Sequence, residues 1–200
     1  MIIRLHDCPA QPWKNGLGST REIAVHPADA GSDDFLWRVS IAEVDSAAPF
    51  SVFPGIDRQI VLLDGAGFRM TMDGEQVHEL VRPFEPFAFP GEAHVAVTLS
   101  GGATRDFNLM LRRARLRGEV QVWRTAGARP VDAAMALVYC ARGSIHTRDG
   151  VLHQGDAWRP EDPAPSGQKM ILHDGAVALL IRIEPAGLSG VSTGAGTGVA

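Results

Sequence analysis

This chain of 200 residues has only two cysteines, no long apolar run and no excess of positive charge. No stretch comes near the roughly 18 consecutive apolar residues of a membrane-spanning helix, so we expect no membrane partner. The formal net charge of -4 argues against nucleic acid as a partner. The two cysteines, Cys8 and Cys140, form no close-spaced metal or redox motif, and the N-terminus has no long apolar signal segment. We therefore expect a cytoplasmic protein with both thiols reduced.

The rest of the composition is that of a globular protein, with 45% hydrophobic and 21% charged residues. Short segments of alternating apolar and polar residues recur along the chain, and turns rich in glycine and proline separate them. Almost no segment has the periodicity of a helix. The pattern predicts an all-β fold with little helix.

The segment from Phe50 to Met72 is the clearest part of that pattern. Its run Ile60-Val61-Leu62-Leu63 is apolar on both faces and predicts a strand inside a system of sheets. One charge, Arg58, stands where this strand begins. A guanidinium at the mouth of a buried strand stays protonated, so it must be paired or bind an anion.

A weak internal repeat predicts two similar units. Residues 60–74 and 137–150 share an order of apolar strand, glycine turn, alternating strand and Asp-Gly turn. We therefore expect an N-terminal unit over 1–117, which carries the ligand site, and a C-terminal unit over 118–185. Residues 186–200, rich in Gly, Ser and Thr, are expected to be a disordered tail.

The order of strand, glycine turn and strand, followed by the motif FPGEAH, resembles the cupin β-barrel. In that superfamily an H-x-H pair, a glutamate and a further histidine bind a transition metal. This chain has no H-x-H, and Arg58 stands about where the glutamate would fall. A guanidinium has no lone pair for a metal, and His94 alone provides too few ligands. We therefore expect neither a metal nor another cofactor, and at Arg58 we expect a carboxylate or phosphate.

A longer resemblance covers roughly residues 11–183. The blocks PWKNGLGSTREIAV, FLWRVSIAEV, PFSVFPGIDRQIVLLDGAGFRM, PFAFPGEA and RDFNLMLRR, in this order, resemble the HutD/Ves family. The resemblance implies two cupin-like barrels in tandem (a bicupin), association with histidine utilisation, and binding of formylated or formimino derivatives of glutamate. One departure is Leu17, where the family's K-N-G-G-G run has glycine, which would make this turn slightly stiffer.

Such a ligand needs cations for its carboxylates and neutral hydrogen-bonding groups for its acyl or imino end. The expected cations are Lys14, Arg21, Arg38 and Arg58, and the expected hydrogen-bonding residues are Asn15, Thr20, Ser40 and Asn108. Glu22 and Asp106 would orient the arginines, and Trp37 and Phe53 would form apolar walls. The plainer alternatives are surface charge for the cations and a core position for Trp37.

Three functions remain open at this point. The favoured one is a metal-free protein that binds a small acidic ligand and regulates a catabolic pathway. The second is a cupin-type isomerase, hydrolase or deiminase that uses Glu22 or Asp106 as a base. The third is a purely structural protein, and a homodimer is left open as an assembly. No G-x-S-x-G elbow surrounds Ser40 or Ser51, which disfavours a serine nucleophile.

Overall fold

The structure is a computed structural model that describes residues 1–13, 15–31, 34–160 and 167–187. Within these ranges the chain forms eighteen β-strands and one short 3-10 helix, Leu5–Asp7. The strands are β1 (Ile2–Ile3), β2 (Ala10–Pro12), β3 (Gly18–His26), β4 (Trp37–Val44), β5 (Ile56–Asp64), β6 (Phe68–Met72), β7 (Gln76–Leu80), β8 (Pro86–Pro90), β9 (Val95–Leu99), β10 (Thr104–Arg112), β11 (Leu116–Trp123), β12 (Gly127–Pro130), β13 (Met135–Arg142), β14 (Ser144–Thr147), β15 (Gly150–His153), β16 (Ala157–Trp158), β17 (Lys169–Leu172) and β18 (Val177–Pro185). The prediction of an all-β fold with little helix is confirmed.

The strands form four antiparallel sheets, which we number from one end of the molecule to the other. Their strand orders are β7-β6-β9 (sheet I), β2-β3-β4-β10-β5-β8 (sheet II), β1-β16-β13-β18-β11 (sheet III) and β12-β17-β14-β15 (sheet IV). Three apolar clusters join neighbouring sheets: Leu62 packs with Met70 between I and II, Phe107 with Leu179 between II and III, and Cys140 with Leu172 between III and IV. Sheets II and III are therefore covered on both faces. In the described residues, no helix is long or apolar enough to cross a membrane.

The two central sheets explain the strand that is apolar on both faces. Ile60 and Leu62 belong to the cluster shared with sheet I, whereas Val61 and Leu63 belong to the cluster shared with sheet III. The prediction that this run lies inside a system of sheets is confirmed. The following strand, β6, buries Phe68, Met70 and Met72 and exposes Arg69, because sheet I is covered on one face only.

The weak internal repeat occupies equivalent places in the two halves. β5 of sheet II runs into β6 of sheet I, and β13 of sheet III runs into β14 of sheet IV. Each connection contains a glycine in the left-handed region, Gly67 at φ 77° and Gly143 at φ 72°. An added Cβ would strike backbone at Gly67, so the tight turn requires glycine there.

The described residues form no closed barrel, because all four sheets are open and have two edge strands. The structure therefore does not confirm closed barrels. Both edge strands of sheet II contain proline, Pro12 in β2 and Pro86 and Pro90 in β8. Proline has no N–H to donate to a further strand, which accounts for the open edges.

The predicted division after residue 117 stays a prediction. The structure adds that β1, although N-terminal, pairs with β16 in sheet III through Ile2 opposite Trp158 and Ile3 opposite Ala157. The first residues of the chain thus join the sheet that is otherwise built from the C-terminal half. Most of the tail expected over 186–200 lies outside the described residues.

Candidate functional site

A cavity of about 630 Å³ opens between sheet II and the segments that precede β3 and β5. Six residues expected from the sequence to contact a ligand line it: Asn15, Thr20, Arg38, Ser40, Arg58 and Asn108. Asp106 and Phe53, expected as an orienting residue and a wall, line it as well. The structure therefore brings most of the expected set together in one place.

The register of sheet II puts the polar side chains on one face. Asn108 on β10 stands opposite Ser40 on β4. In the next row, Met110 stands opposite Arg38 on β4 and Arg58 on β5. Residues opposite each other in an antiparallel pair share a face, so two guanidiniums and two neutral hydrogen-bonding side chains meet in the same cavity.

Arg58 is the buried cation of the cavity, with only 6% of its surface exposed. Its guanidinium lies against three aromatic rings, 5.2 Å from the centroid of Phe50, 5.5 Å from Phe53 and 4.8 Å from Phe89. Nη2 donates to Oδ1 of Asn108 at 3.1 Å, and Nε is buried without a partner. Burial lowers the pKa of Arg58 to about 10, and at pH 7 the group remains charged.

Asp106 lies at the end of a hydrogen-bonded chain that starts at Arg58. Its Oδ1 accepts from Nδ2 of Asn108 at 2.5 Å, and its Oδ2 is buried without a partner. Burial raises the pKa of Asp106 to about 7, against the opposing effects of the Asn108 hydrogen bond and the Arg58 charge. Near neutral pH, this carboxyl in the lining of the cavity therefore changes its charge.

Arg38 supplies a second cation and is oriented by Glu22. Its Nε donates to Oε2 of Glu22 at 2.8 Å, and the arginine side chain is half as exposed as the glutamate. This bond leaves both Nη groups of Arg38 for another acceptor, which the described residues do not supply within hydrogen-bond distance. Glu22 thus orients Arg38, the role expected from the sequence, without lining the cavity itself.

The turn between β2 and β3 shapes the cavity mouth. Trp13 lines the cavity, and its Nε1 donates to Oγ1 of Thr20 at 2.8 Å. The Trp13 ring lies so close to Gly18 that an added Cβ would strike both the ring and the backbone carbonyl of Glu43. Leu17 has a negative φ, so this position does not require glycine and the departure from the family pattern causes no backbone strain.

Comparison with known proteins identifies the family. The HutD family model matches residues 5–179. The chain belongs to the HutD family. The resemblance to HutD/Ves proteins is thereby confirmed over most of the sequence.

Two curated relatives are similar to this HutD-family chain. An uncharacterised 21.2 kDa protein in the hutC 3′ region of Pseudomonas putida is 41% identical over 143 residues, which cover 72% of this chain and 74% of that protein. Protein Ves of Cronobacter sakazakii is 39% identical over 158 residues, which cover 76% and 82%. The family name and the location of the Pseudomonas relative associate the family with the histidine-utilisation locus.

Two solved structures share the whole architecture. HutD from Pseudomonas fluorescens SBW25 superposes with a TM-score of 0.81 at 32% identity, over 94% of this chain and 99% of that one. A conserved protein of unknown function from Pseudomonas aeruginosa PAO1 gives a TM-score of 0.79 at 34% identity, over 92% and 98%. A more distant neighbour, a putative glyoxylate-induced protein from Pseudomonas aeruginosa, superposes with a TM-score of 0.64 at 12% identity, over 92% of this chain and 87% of that one, and shares the fold alone.

Two residues of the expected set lie on the opposite face of sheet II. Trp37, expected as a wall, is buried between sheets II and III and stacks on His26. Arg21, expected as a ligand cation, donates Nη1 to the carbonyl of Cys8 at 2.8 Å and lines a different cavity. The reason is strand alternation: the neighbouring Arg38 and Thr20 face the first cavity, so Trp37 and Arg21 face away. Lys14 lies outside the described residues.

Of the three aromatic rings beside Arg58, the sequence interpretation named Phe53 and missed Phe50 and Phe89. Phe50 lines the cavity, and Phe89 reaches the guanidinium because it stands opposite Arg58 in the β5–β8 pair. The spacing of Phe50 and Phe53 before the Pro-Gly turn was a usable signal. Nothing in a single sequence indicates the pairing register that brings Phe89 to Arg58.

Metal ligands are sparse in the part of the chain that the structure describes, where no three His, Cys, Asp or Glu side chains are grouped to hold an ion. His94 is exposed, and its Nδ1 lies 3.5 Å from Oδ1 of Asp73. His146 and His173 are in contact, with 3.2 Å between ring nitrogens, on the exposed surface of the C-terminal half. Cys8 and Cys140 are both buried and free.

Proposed function

We propose that this HutD-family protein binds a small acidic amino-acid derivative, of the type of N-formyl- or N-formimino-glutamate, in the cavity of sheet II. The protein acts without a metal ion, as a regulatory component of histidine catabolism. The single observation that carries the proposal is the buried guanidinium of Arg58, charged at neutral pH and with one N–H group unpartnered. An anion bound in the cavity would compensate the charge of this buried cation and accept charge-assisted hydrogen bonds from it.

The two guanidiniums suit a ligand with two carboxylates. Arg58 and Arg38 stand on strands that flank β10, one on either side of Met110. A planar guanidinium binds a carboxylate through two parallel N–H···O bonds, so each arginine selects one carboxylate. The neutral groups of Ser40, Thr20 and Asn108 lie on the same face and suit the formyl or formimino end of such a ligand.

The absence of a metal in this proposal follows from the chemistry of the side chains. By the resemblance to cupins, the guanidinium of Arg58 falls about where a cupin metal site has its glutamate, and it offers no lone pair to a metal. We propose that the sheet pairs I/II and III/IV are the two cupin-like units in tandem, with the ligand site in the first. Binding takes place in the cytoplasm, and neither nucleic acid nor membrane is a partner.

A thermal-shift series tests the proposal. A ligand in hundredfold excess over its Kd stabilises the folded state by about 2.7 kcal/mol, which raises the Tm of a domain this size by roughly 5–10 °C. N-formyl- and N-formimino-glutamate should give the largest shifts, glutamate a smaller one and glutamine the smallest. Added salt should reduce the shifts without abolishing them. Equal shifts for glutamine and N-formylglutamate would show that the second carboxylate is not recognised.

The raised pKa of Asp106 favours one alternative, an enzyme that uses this carboxyl as a general acid or base. A cupin-type isomerase or hydrolase of a small acidic substrate fits this observation. Proton NMR of N-formylglutamate incubated with the protein separates the two functions. Formate release or isomerisation that disappears in Asp106→Asn supports the enzyme, whereas an unchanged spectrum over hours supports binding alone.

A further inference from the structure

A second cavity, of about 650 Å³, lies at the seam between the N-terminal segment, sheet II and the turn after β15. We call it the seam cavity; it is lined chiefly by Arg4, Arg21, Glu43, Arg105, His153 and Asp156. Arg105 and Asp106 are adjacent on β10, so the seam cavity lies on the opposite face of sheet II from the first cavity. It takes no part in the function proposed above.

One ion pair builds the wall of the seam cavity. Nη1 of Arg4 lies 2.6 Å from Oδ2 of Asp156, which also accepts from the backbone N–H of His153 at 3.0 Å. Oδ1 of Asp156 accepts from the backbone N–H of Leu5 at 3.3 Å. The carboxylate of Asp156 is thus neutralised and fully engaged, and Arg4 is held in place by it.

The other two arginines have no such close partner. Nη1 of Arg21 donates to a neutral acceptor, the carbonyl of Cys8, and no carboxylate of the described residues lies within 4.0 Å of this guanidinium. Nε of Arg105 is buried without a partner, and its Nη2 lies 3.6 Å from the exposed carboxylate of Asp64. Such a long contact to an exposed carboxylate is screened by water and neutralises little charge.

The remaining acid, Glu43, stands directly opposite Arg105 in the β4–β10 pair and accepts from the hydroxyl of Ser19 at 3.3 Å. One carboxylate therefore faces two guanidiniums, and the imidazoles of His6 and His153 lie at the edge. The seam cavity has an excess of donors and of positive charge.

We propose that the seam cavity binds the phosphate group of a small phosphorylated metabolite. A phosphate carries about −1.5 to −2 charges at pH 7 and three acceptor oxygens, enough for donors from two strands and a histidine. A carboxylate has two oxygens, which one guanidinium satisfies alone. Arg21 and Arg105 stand on β3 and β10, with β4 between them, so a phosphate bound by both would join separate strands of sheet II to the seam.

Calorimetric titration of inorganic phosphate into the full chain at low ionic strength tests this site. We expect one phosphate per chain, with binding weakened tenfold or more in Arg21→Gln and in Arg105→Gln. The matched control is Arg117→Gln, which removes an exposed arginine remote from both cavities and should leave binding unchanged. Arg58→Gln reports whether phosphate binds in the first cavity instead.

Imidazole NMR of the wild-type protein gives a second readout that needs no variant. Phosphate should shift the ring signals of His6 and His153 and leave those of the remote His94 in place. The proposal is overturned if phosphate does not bind. It is also overturned if binding survives in Arg105→Gln but disappears in Arg58→Gln, or if acetate binds through Arg21 and Arg105 as tightly as phosphate.

Discussion

Nη2 of Arg58 donates a hydrogen bond of 3.1 Å to Oδ1 of Asn108. The amide of Asn108 donates in turn to Asp106, so the orientation of this amide is set by a cation on one side and a carboxyl on the other. Through its separate oxygen and nitrogen, an amide can accept from the first and donate to the second at the same time. This relationship places Arg58 in the cavity and accounts for the asparagine at position 108.

Asn108→Leu should destabilise the fold as well as the site. The substitution leaves a buried guanidinium and a buried carboxyl each without its partner, and an unsatisfied buried polar group costs about 1–3 kcal/mol. We expect the free energy of unfolding in urea to fall by that amount or more. The matched control, Gln76→Leu, changes an exposed residue of β7 and should alter the free energy of unfolding little. Similar losses for both variants would mean that Asn108 does not link Arg58 to Asp106.

Stability should depend on pH through Asp106. In the unfolded chain this carboxyl has the ordinary pKa near 3.8, and burial raises it to about 7 in the folded protein. A raised pKa means that the folded state holds the proton more tightly, so the stabilisation is complete below about pH 4 and is lost as the pH rises to about 7. Urea unfolding of wild type and Asp106→Asn across this range should show the decline in the wild type only. If the free energy of unfolding depends on pH in the same way in both proteins, Asp106 is not the group responsible.

Anion binding should be linked to the same proton. An anionic ligand beside Arg58 favours protonated Asp106, because the neutral carboxyl does not repel it. Near pH 7 binding should therefore take up a fraction of a proton, and affinity should decline above pH 7. Calorimetry in two buffers of different ionisation enthalpy measures the uptake, and equal apparent enthalpies in the two buffers would show that no proton is taken up.

Features set by residues close together in the sequence could be predicted, whereas features set by the pairing of distant strands could not. Alternation within one strand and glycine turns are local, and from them the all-β class and the double-faced burial of Ile60 and Leu63 could be predicted. The set of Arg58, Arg38 and Asn108 could be predicted from the family resemblance. The face of β4 that lines the cavity could not be predicted, because Trp37 and Arg38 are neighbours and either face fits an alternating strand. The contact of Phe89 with Arg58 depends on the β5–β8 register, and the pairing of β1 with sheet III joins residues more than 150 positions apart. Neither could be predicted, because both depend on which strands pair.

The two opposite faces of sheet II should respond differently when the aromatic residues packed against them are truncated. Trp37→Leu removes a large side chain from the apolar cluster between sheets II and III, and large-to-small changes in a core cost about 2–5 kcal/mol. Phe53→Leu removes a ring from beside Arg58, at a cost of about 0.5–2 kcal/mol in ligand affinity. We expect the first variant to lose mainly unfolding free energy and the second mainly affinity for N-formylglutamate. The reverse pattern would contradict the assignment of these faces.

Calorimetric titration of N-formylglutamate into wild type, Arg58→Gln and Arg58→Lys tests the proposed site most directly. Loss of one charge-assisted, bidentate contact should weaken binding by about 1.5–3 kcal/mol, or ten- to a hundredfold, in Arg58→Gln. Arg58→Lys should recover only part of this, because an ammonium keeps the charge and lacks the planar fork. Arg117→Gln serves as the control for removing a positive charge and should bind like the wild type. Unchanged affinity in a folded Arg58→Gln protein would contradict the assignment of this cavity as the ligand site.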